Sequence, residues 1–434
     1  MHVEQGQAAR VIGAVVDGHR RLDDALDSEF ASAPDSRRGH ALVREIAYGT
    51  LRHWGTLDVL VRLLARKPLA DRVLHMLAAA AIYQILHLRA PAFAVVDRAV
   101  TAAARVARPA ARPLMNALLR RFLREQAALV AAARTGEVGR YSYPQWWIDR
   151  VRRDYPVDWE PVLEAGNHQA PLVLRVNHRA TRRVELLARF ADAGIRAHGQ
   201  DESAIVVEHF AAPETLPGFA DGAFAVQDAG AQLAAAIVDA RDGMRVLDGC
   251  AAPGGKTAHL IERAEIDLVA LDADPARLER LRGNLARLGH AARSVRLVCA
   301  DATTPDRWWD GRPFDRILLD VPCTGSGVVR RHPDIKWRRR PADVDAFAAA
   351  QARFLAAAWP LVAPGGRLVY ATCSVFHAEN DAVVEAFCAA QPEALRETLS
   401  FPPDFRRRGG QILPSPPAAS HNQDGFYYAS LRKT

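Results

Sequence analysis

Apolar residues recur at three- and four-residue spacing through the first third of the chain. The pattern runs through ALVREIAYGTLRHWGTLDVLVRLLA (41–65), VLHMLAAAAIYQILHL (73–88) and RPLMNALLRRFLREQAALVAAA (112–133), and no β-branched run alternates there with period two. One apolar face per helix predicts an all-α helical bundle over residues 1 to about 135. ARTGEVGRYSYPQWW (133–147) breaks the pattern with glycine, serine and proline and sets a boundary near Val138. Residues 139–225 mix a helix, RVELLARFADAG, with the short strand-like pieces LVLRVN and AIVVEHF. They form a small α+β module with too little apolar material for an enzyme of its own, so a linking or RNA-positioning role falls to it. From Ala223 onward short apolar runs (MRVLD, DLVALD, VRLVCAD, FDRILLD, GRLVYAT, GFYYASLR) alternate with helical stretches. This predicts a doubly wound, Rossmann-like α/β domain over 226–434, with ligands at the carboxyl ends of its strands.

A chain of 434 residues exceeds one ordinary core, in keeping with three domains, 1–138, 139–225 and 226–434. No stretch near twenty apolar residues is free of charge, and MHVEQGQAARVIG lacks the basic-then-apolar order of a signal peptide. A cytoplasmic protein with no membrane partner is expected. The five cysteines show no C-x-x-C pair and no histidine at ligand spacing, so neither a disulfide framework nor a metal site is expected. The net charge of +7 is unevenly placed: residues 1–139 hold 20 Lys and Arg against 13 Asp and Glu, and the remainder holds 37 of each. An N-terminal excess of cations suits a polyanion such as RNA. Arg98, Arg105, Arg108, Arg112, Arg120, Arg121 and Arg124 follow one another with no acidic residue between them, which makes this stretch the candidate RNA-contacting surface; a solvated helix face is the alternative.

The chemistry concentrates at the ends of the predicted strands. VLDGCAAPGGKT places Asp248 at a strand end and follows it with Ala251, Ala252, Gly254 and Gly255, which let backbone approach a ligand before a helix starts near Thr257. Asp272 ends the next strand, where a carboxylate accepts ribose hydroxyls, and Asp301 ends the third, in position to meet an adenine edge. A tight turn with helix-capping acids accounts for any one of these. The set, without G-x-G-x-x-G, points to S-adenosylmethionine. Asp320-Val321-Pro322-Cys323 leaves the fourth strand into the small residues TGSG, and Thr372-Cys373-Ser374 leaves the fifth. Free cysteines are most often buried small hydrophobes, the reading for Cys299 and Cys388. Cys323 and Cys373 instead end strands at the ligand edge. A thiolate adding to C6 of cytosine makes C5 nucleophilic, and Asp320 stands ready to hold or protonate N3, so 5-methylcytosine is the expected product. Spacing does not choose between the thiols; Pro322-Cys323 is similar to the nucleophile motif of DNA cytosine-5 methyltransferases.

CAAPGGKT, LLDVPCTGSGVVRRHPDIKW, LVYATCSV, LRVN and DGFYYASL, with EIAYGTLRHW, AIYQILHL and MNALLRRF in the first third, resemble over the whole chain the RsmB (Fmu, Sun) family of 16S ribosomal RNA cytosine-5 methyltransferases. The resemblance implies a NusB-like RNA-binding helical domain, S-adenosylmethionine as cofactor, and a monomer acting on a specific cytosine of 16S ribosomal RNA rather than on DNA. By position, Cys250, Ala251, Ala252, Pro253, Gly254, Gly255, Lys256, Asp272, Asp301 and Asp320 would bind the cofactor or line its pocket. Cys373 would be the nucleophile and Cys323 would assist release. RNA would approach across RRHPDIKWRRR, where Arg330, Arg331, Lys336, Arg338, Arg339 and Arg340 face only Asp334. One departure is visible: His377-Ala378-Glu379-Asn380 stands where the family has Pro-Glu-Glu-Asn. The competing readings are methylation of another RNA such as transfer RNA, and a non-catalytic RNA-binding or antitermination factor.

Overall fold

The computed structural model describes residues 2–32, 37–65, 67–208, 212–291, 293–416, 419 and 421–434. The chain forms two compact units, Met1–Gln169 with Val329–Pro341, and Ala170–Val328 with Ala342–Thr434.

The first unit is helical throughout its described residues. Its helices are α1 (His2–Val16), α2 (Leu22–Ser32), α3 (Arg37–Arg52), α4 (Trp54–Leu64), α5 (Arg72–His87), α6 (Ala92–Val106), α7 (Arg112–Ala133), α8 (Glu137–Tyr141), α9 (Gln145–Asp154) and α10 (Trp159–Ala165). Helix α5 is the centre of the bundle, because every residue from Leu74 to Gln84 is buried. A helix apolar on all sides belongs in a core rather than on a surface. The Asp71 carboxylate caps its start, accepting from Val73 N at 3.0 Å. Close packing of α3 on α5 needs a glycine: a Cβ on Gly49 would lie 1.9 Å from the Tyr83 ring. The continuous periodic run 41–65 is two helices, broken at His53.

The basic run RRHPDIKWRRR, expected to meet RNA, contributes α15 (Ile335–Arg338) to this helical unit. Lys336 is completely buried. Its ammonium donates to Arg52 O at 2.7 Å, Ser142 O at 3.0 Å and Asn167 Oδ1 at 2.8 Å. Trp337 donates to Leu51 O at 2.7 Å, and Arg338 pairs with Asp334 at 2.9 Å. Lys336 is therefore a packing residue, because three acceptors inside the bundle offer it what water would.

The second unit holds two sheets. The strands β1 (Leu172–Val176), β2 (Ala197–Gly199), β3 (Ala204–Val207) and β4 (Phe224–Val226) lie in the order β2-β3-β1-β4, all antiparallel, with α11 (Arg183–Asp192) between β1 and β2. This is a ferredoxin-like arrangement. The predicted strand AIVVEHF is β3 in its first part; His209 and Phe210 lie outside the described residues. The larger sheet contains β5 (Arg245–Asp248), β6 (Asp267–Asp272), β7 (Val295–Cys299), β8 (Phe314–Asp320), β9 (Val362–Thr372), β10 (Ala394–Glu397), β11 (Arg407–Arg408), β12 (Gln411–Ile412) and β13 (Phe426–Lys433). Strands β9-β8-β5-β6-β7 are parallel neighbours, flanked by α12 (Ala229–Val238), α13 (Gly255–Arg263), α14 (Pro275–Arg287), α16 (Pro341–Ala358) and α17 (Asp381–Ala390). GFYYASLR joins the same sheet antiparallel to β9.

The motif LRVN fastens the two sheets to each other. Arg175 is fully buried, and donates to Gly255 O at 2.6 Å and Glu262 Oε1 at 2.6 Å, both on α13. Asn177 donates to Gly222 O at 2.9 Å and Leu288 O at 3.1 Å. Among the described residues no helix is long and apolar enough to cross a membrane.

The burial of Lys336 is directly testable. Lys336→Met keeps the volume but strands the buried Ser142 carbonyl and the half-buried Arg52 and Asn167 acceptors, a buried acceptor costing about 1–3 kcal/mol when unsatisfied. Denaturant unfolding should show the variant destabilised by at least about 2 kcal/mol. Unchanged stability would mean that Lys336 is solvated.

Candidate functional site

The strand order brings the predicted site residues into one row. Reading across the carboxyl edge from β9 to β7, the strands end at or just before Cys373, Asp320, Asp248, Asp272 and Asp301. The chain departs from β5 to β6 and β7 on one side and returns to β8 on the other, so the β5–β8 junction is the topological switch point where such sheets bind ligands.

The loop after β5 is held against that edge by polar contacts. Asp248 is fully buried; its Oδ2 accepts from Thr257 Oγ1 at 2.7 Å on α13, and its Oδ1 is buried without a hydrogen-bond partner among the described residues. Burial pushes the Asp248 carboxyl up to about 7, although the Thr257 hydrogen bond opposes this. Asp272 accepts from Ala252 N at 3.2 Å and from Asp274 N at 3.1 Å. Arg277 donates to Ala252 O, and Asn284 Nδ2 reaches Pro253 O at 2.9 Å. The Ala252–Pro253 peptide is cis, and Gly254 has φ +101°, open to glycine. Burial pushes the Cys250 thiol well above its ordinary range. Asp301 is exposed and accepts from Thr303 N and Oγ1, both at 2.8 Å. An orphaned buried acceptor at Asp248, a carboxylate at Asp272 with lone pairs to spare, and small loop residues together fit a nucleoside-type ligand with hydroxyl and amine donors.

Beside this loop, Lys256 Nζ donates to Asp320 Oδ2 at 2.6 Å. Burial works against the ammonium, but the Asp320 charge and hydrogen bond outweigh it and raise its pKa. The two thiols meet next to this pair: Cys323 Sγ and Cys373 Sγ are 3.3 Å apart, hydrogen-bonded and not joined as a disulfide. The hydrogen bond with Cys373, and then burial, push the Cys323 thiol well above its ordinary range. Backbone crowding fixes the loops. Gly327 N donates to Cys373 O at 2.8 Å, Gly425 N donates to Gly327 O at 2.9 Å, and a Cβ on Gly327 would lie 2.1 Å from Gly425 O. TGSG is glycine-bearing here because three backbones converge.

Sequence reasoning passed over the polar residues that support the thiols. Glu379 accepts from Thr324 and Ser374, Asn380 links Thr372 Oγ1 at 2.6 Å to Ser374 O at 2.9 Å, and Gln411 donates to Ser374 O at 3.1 Å. Glu379 and Asn380 carried a signal in following Cys373 closely, whereas Gln411 carried none. Cys299, expected to be buried, is exposed, because β7 is the edge strand of its sheet. Cys388 is partly buried.

In the helical unit, Arg121 departs from the expected RNA face. It donates to Leu63 O at 3.3 Å and Leu64 O at 3.1 Å at the end of α4 and pairs with Glu125 at 3.0 Å. Arg120 bonds Asn116 at 3.0 Å. Arg105, Arg108, Arg112 and Arg124 are exposed and have no ion-pair or hydrogen-bond partner among the described residues.

Comparison with known proteins agrees with this geometry. Residues 235–432 match the family model for 16S rRNA methyltransferase RsmB/F, residues 143–212 its ferredoxin-like domain, and residues 2–124 the NusB family. The ribosomal RNA small subunit methyltransferase B of Vibrio cholerae is 44% identical over 98% of this chain and 96% of its own length. Its Pseudomonas putida counterpart is 40% identical over 98% and 97%. Among solved structures, PH0851 superposes with a TM-score of 0.78 at 24% identity over 99% of both chains. A methyltransferase homologue from Pyrococcus horikoshii gives 0.58 at 26% identity over 68% of this chain and 97% of that one. With the fold, the edge of strand-end acids and these relatives in agreement, the chain belongs to the 16S rRNA methyltransferase RsmB/F family and is an RNA methyltransferase.

Proposed function

We propose that this protein methylates C5 of one specific cytosine in 16S ribosomal RNA through a covalent cysteine–C6 adduct. The observation that carries the reading is the 3.3 Å approach of Cys323 and Cys373 beside the Lys256–Asp320 pair, at the same sheet edge as the Asp248–Asp272 loop. The division of labour is an RNA-binding part at 1–138, a positioning module at 139–225 and a catalytic domain at 226–434.

S-adenosylmethionine, when bound, supplies an electrophilic methyl group. Residues Cys250 to Lys256, with Asp272, Asp301 and Asp320, hold it or line its pocket. Asp272, whose Oδ2 also pairs with Arg277 at 3.4 Å, would accept the ribose hydroxyls, and the small side chains of Ala251, Ala252, Gly254 and Gly255 would leave room for the cofactor.

Cys373 adds as the thiolate to C6, which turns the aromatic ring into an enamine whose C5 is nucleophilic. Asp320, in its protonated form, donates to N3 of the ring, and Lys256, bonded to Asp320, balances the charge left on the carboxylate as the proton moves. A water molecule takes the C5 proton, the C5–H electrons restore the C5–C6 double bond, and the C6–S bond breaks to expel the sulfur of Cys373. Cys323, kept protonated by its neighbour and by burial, donates to the departing thiolate and so assists release. A stacked or paired cytosine has to be turned out of its helix to reach the sulfur. An inert α/β domain would have no use for two thiols, an ion pair and an orphaned acid at one edge, which disfavours a purely RNA-binding factor.

Two outcomes follow. Cys373→Ala should abolish both methylation and adduct formation, whereas Cys323→Ala should still add to the base and release slowly. A denaturant-resistant RNA complex should then accumulate on gels for Cys323→Ala only; the reverse pattern would exchange the roles. In the helical unit, replacing Arg105, Arg108, Arg112 and Arg124 by alanine should weaken RNA binding. It should also flatten the salt dependence, by up to about 0.9 in log–log slope per lost contact on duplex-like RNA. An identical slope would make these arginines solvated residues.

A further inference from the structure

Glu379 is a completely buried carboxylate that no cation pairs with among the described residues. It is satisfied by four donors instead. Oε1 accepts from Thr324 N at 2.8 Å and Gln351 Nε2 at 3.2 Å, and Oε2 accepts from Thr324 Oγ1 at 2.6 Å and Ser374 Oγ at 2.6 Å. Thr324 follows Cys323 directly, and Ser374 follows Cys373 directly. Gln351 in turn donates to Pro322 O at 3.0 Å, the residue before Cys323. The Glu379 backbone is itself anchored, since its carbonyl accepts from Tyr370 OH at 2.7 Å on β9.

Burying an ionisable group without a counter-ion is costly, and burial does raise the Glu379 pKa. An amide in that place would keep one acceptor and turn the other into a donor. A hydrophobic residue would leave Thr324 N–H stranded. Only a carboxylate accepts from Thr324 N and Gln351 on one oxygen while its other oxygen accepts from the Thr324 and Ser374 hydroxyls of both loops.

We propose that Glu379 is the positioning residue that sets the approach of the two thiols. Its Oε2 clamps the loop after β8 to the loop after β9, so that Cys323 lies where it can serve the sulfur of Cys373. This deepens the adduct mechanism and rests on it for the kinetic roles of the thiols, though not for their distance.

The distance is read without any catalytic assumption. Diamide takes two hydrogens from a pair of thiols, joining their sulfurs as a disulfide while its N=N bond becomes N–N with two N–H groups. Mass spectrometry of cysteine peptides should show the Cys323–Cys373 disulfide forming readily in the wild-type protein and at least about tenfold more slowly in Glu379→Ala. In the same variant kcat should fall about 100-fold, the scale of a near-1 Å misplacement. The KM for the methyl donor should stay within about twofold, because the β5 loop is untouched. Glu379→Gln should recover part of both, since the two hydroxyls can rotate to accept from its amide.

Single tethers give finer readings and keep the test open if Glu379→Ala fails to fold. Ser374→Ala frees the Cys373 loop from Glu379 and also from Ser326 Oγ, 2.9 Å away on the other loop, and should slow adduct formation. Thr324→Val loosens only the Cys323 loop and should let adduct accumulate. Wild-type disulfide rates in Glu379→Ala, or in both single-tether variants, would overturn the positioning role. A slowed disulfide rate together with exchanged kinetic phenotypes would uphold it and overturn the assigned thiol roles instead.

Discussion

Two adjacent parallel strands must leave their sheet at the same edge, and the site depends on that constraint. Strands β8 and β9 pair with Asp320 opposite Ala371, so the chain after each runs out into the same space within a few residues. Cys373 follows β9 immediately, and Cys323 follows β8 after Val321 and Pro322. A one-residue slip in this register would carry one sulfur away from the other. The central position of β8, between β5 and β9, resists such a slip, because its buried Ile317, Leu318 and Leu319 pack on both faces of the sheet.

Charge at this edge is arranged so that each group has a partner of a different kind. Asp320 is balanced by Lys256 as an ion pair, Asp248 is pushed toward neutrality by burial, and Glu379 is balanced by hydroxyl and amide donors. Three carboxyl groups within one site would otherwise repel one another and the thiolate. Their different environments leave one paired with a lysine, one buried under the loop after β5 and one held by donors from the two cysteine loops.

Much of this was legible in the chain. Each sheet strand is a short apolar run, and β5, β6 and β8 end in an acid, so the edge residues Asp248, Asp272 and Asp320 stood out by position alone. The cysteines stood out because small polar residues, not aliphatic ones, surround them. What could not be read was set by contacts distant in sequence. Glu379 meets Thr324 across 55 positions, and no local pattern announces that pairing. Lys336 looked like one cation of an RNA-contacting run because its three acceptors come from Arg52, Ser142 and Asn167, far away in the chain. Arg121 belonged by composition to an RNA face, yet it closes the end of α4. Cys299 misled because strand order, not composition, makes β7 an edge.

The central claim is that the sulfur of Cys373 bonds to C6 of the target cytosine. A 16S RNA fragment carrying 5-fluorocytosine at the target tests it directly, since fluorine at C5 cannot leave as a proton does and the adduct persists. Proteolysis followed by mass spectrometry should find the nucleotide, with one added methyl group, on the peptide that carries Cys373. The same nucleotide on the Cys323 peptide would contradict the account.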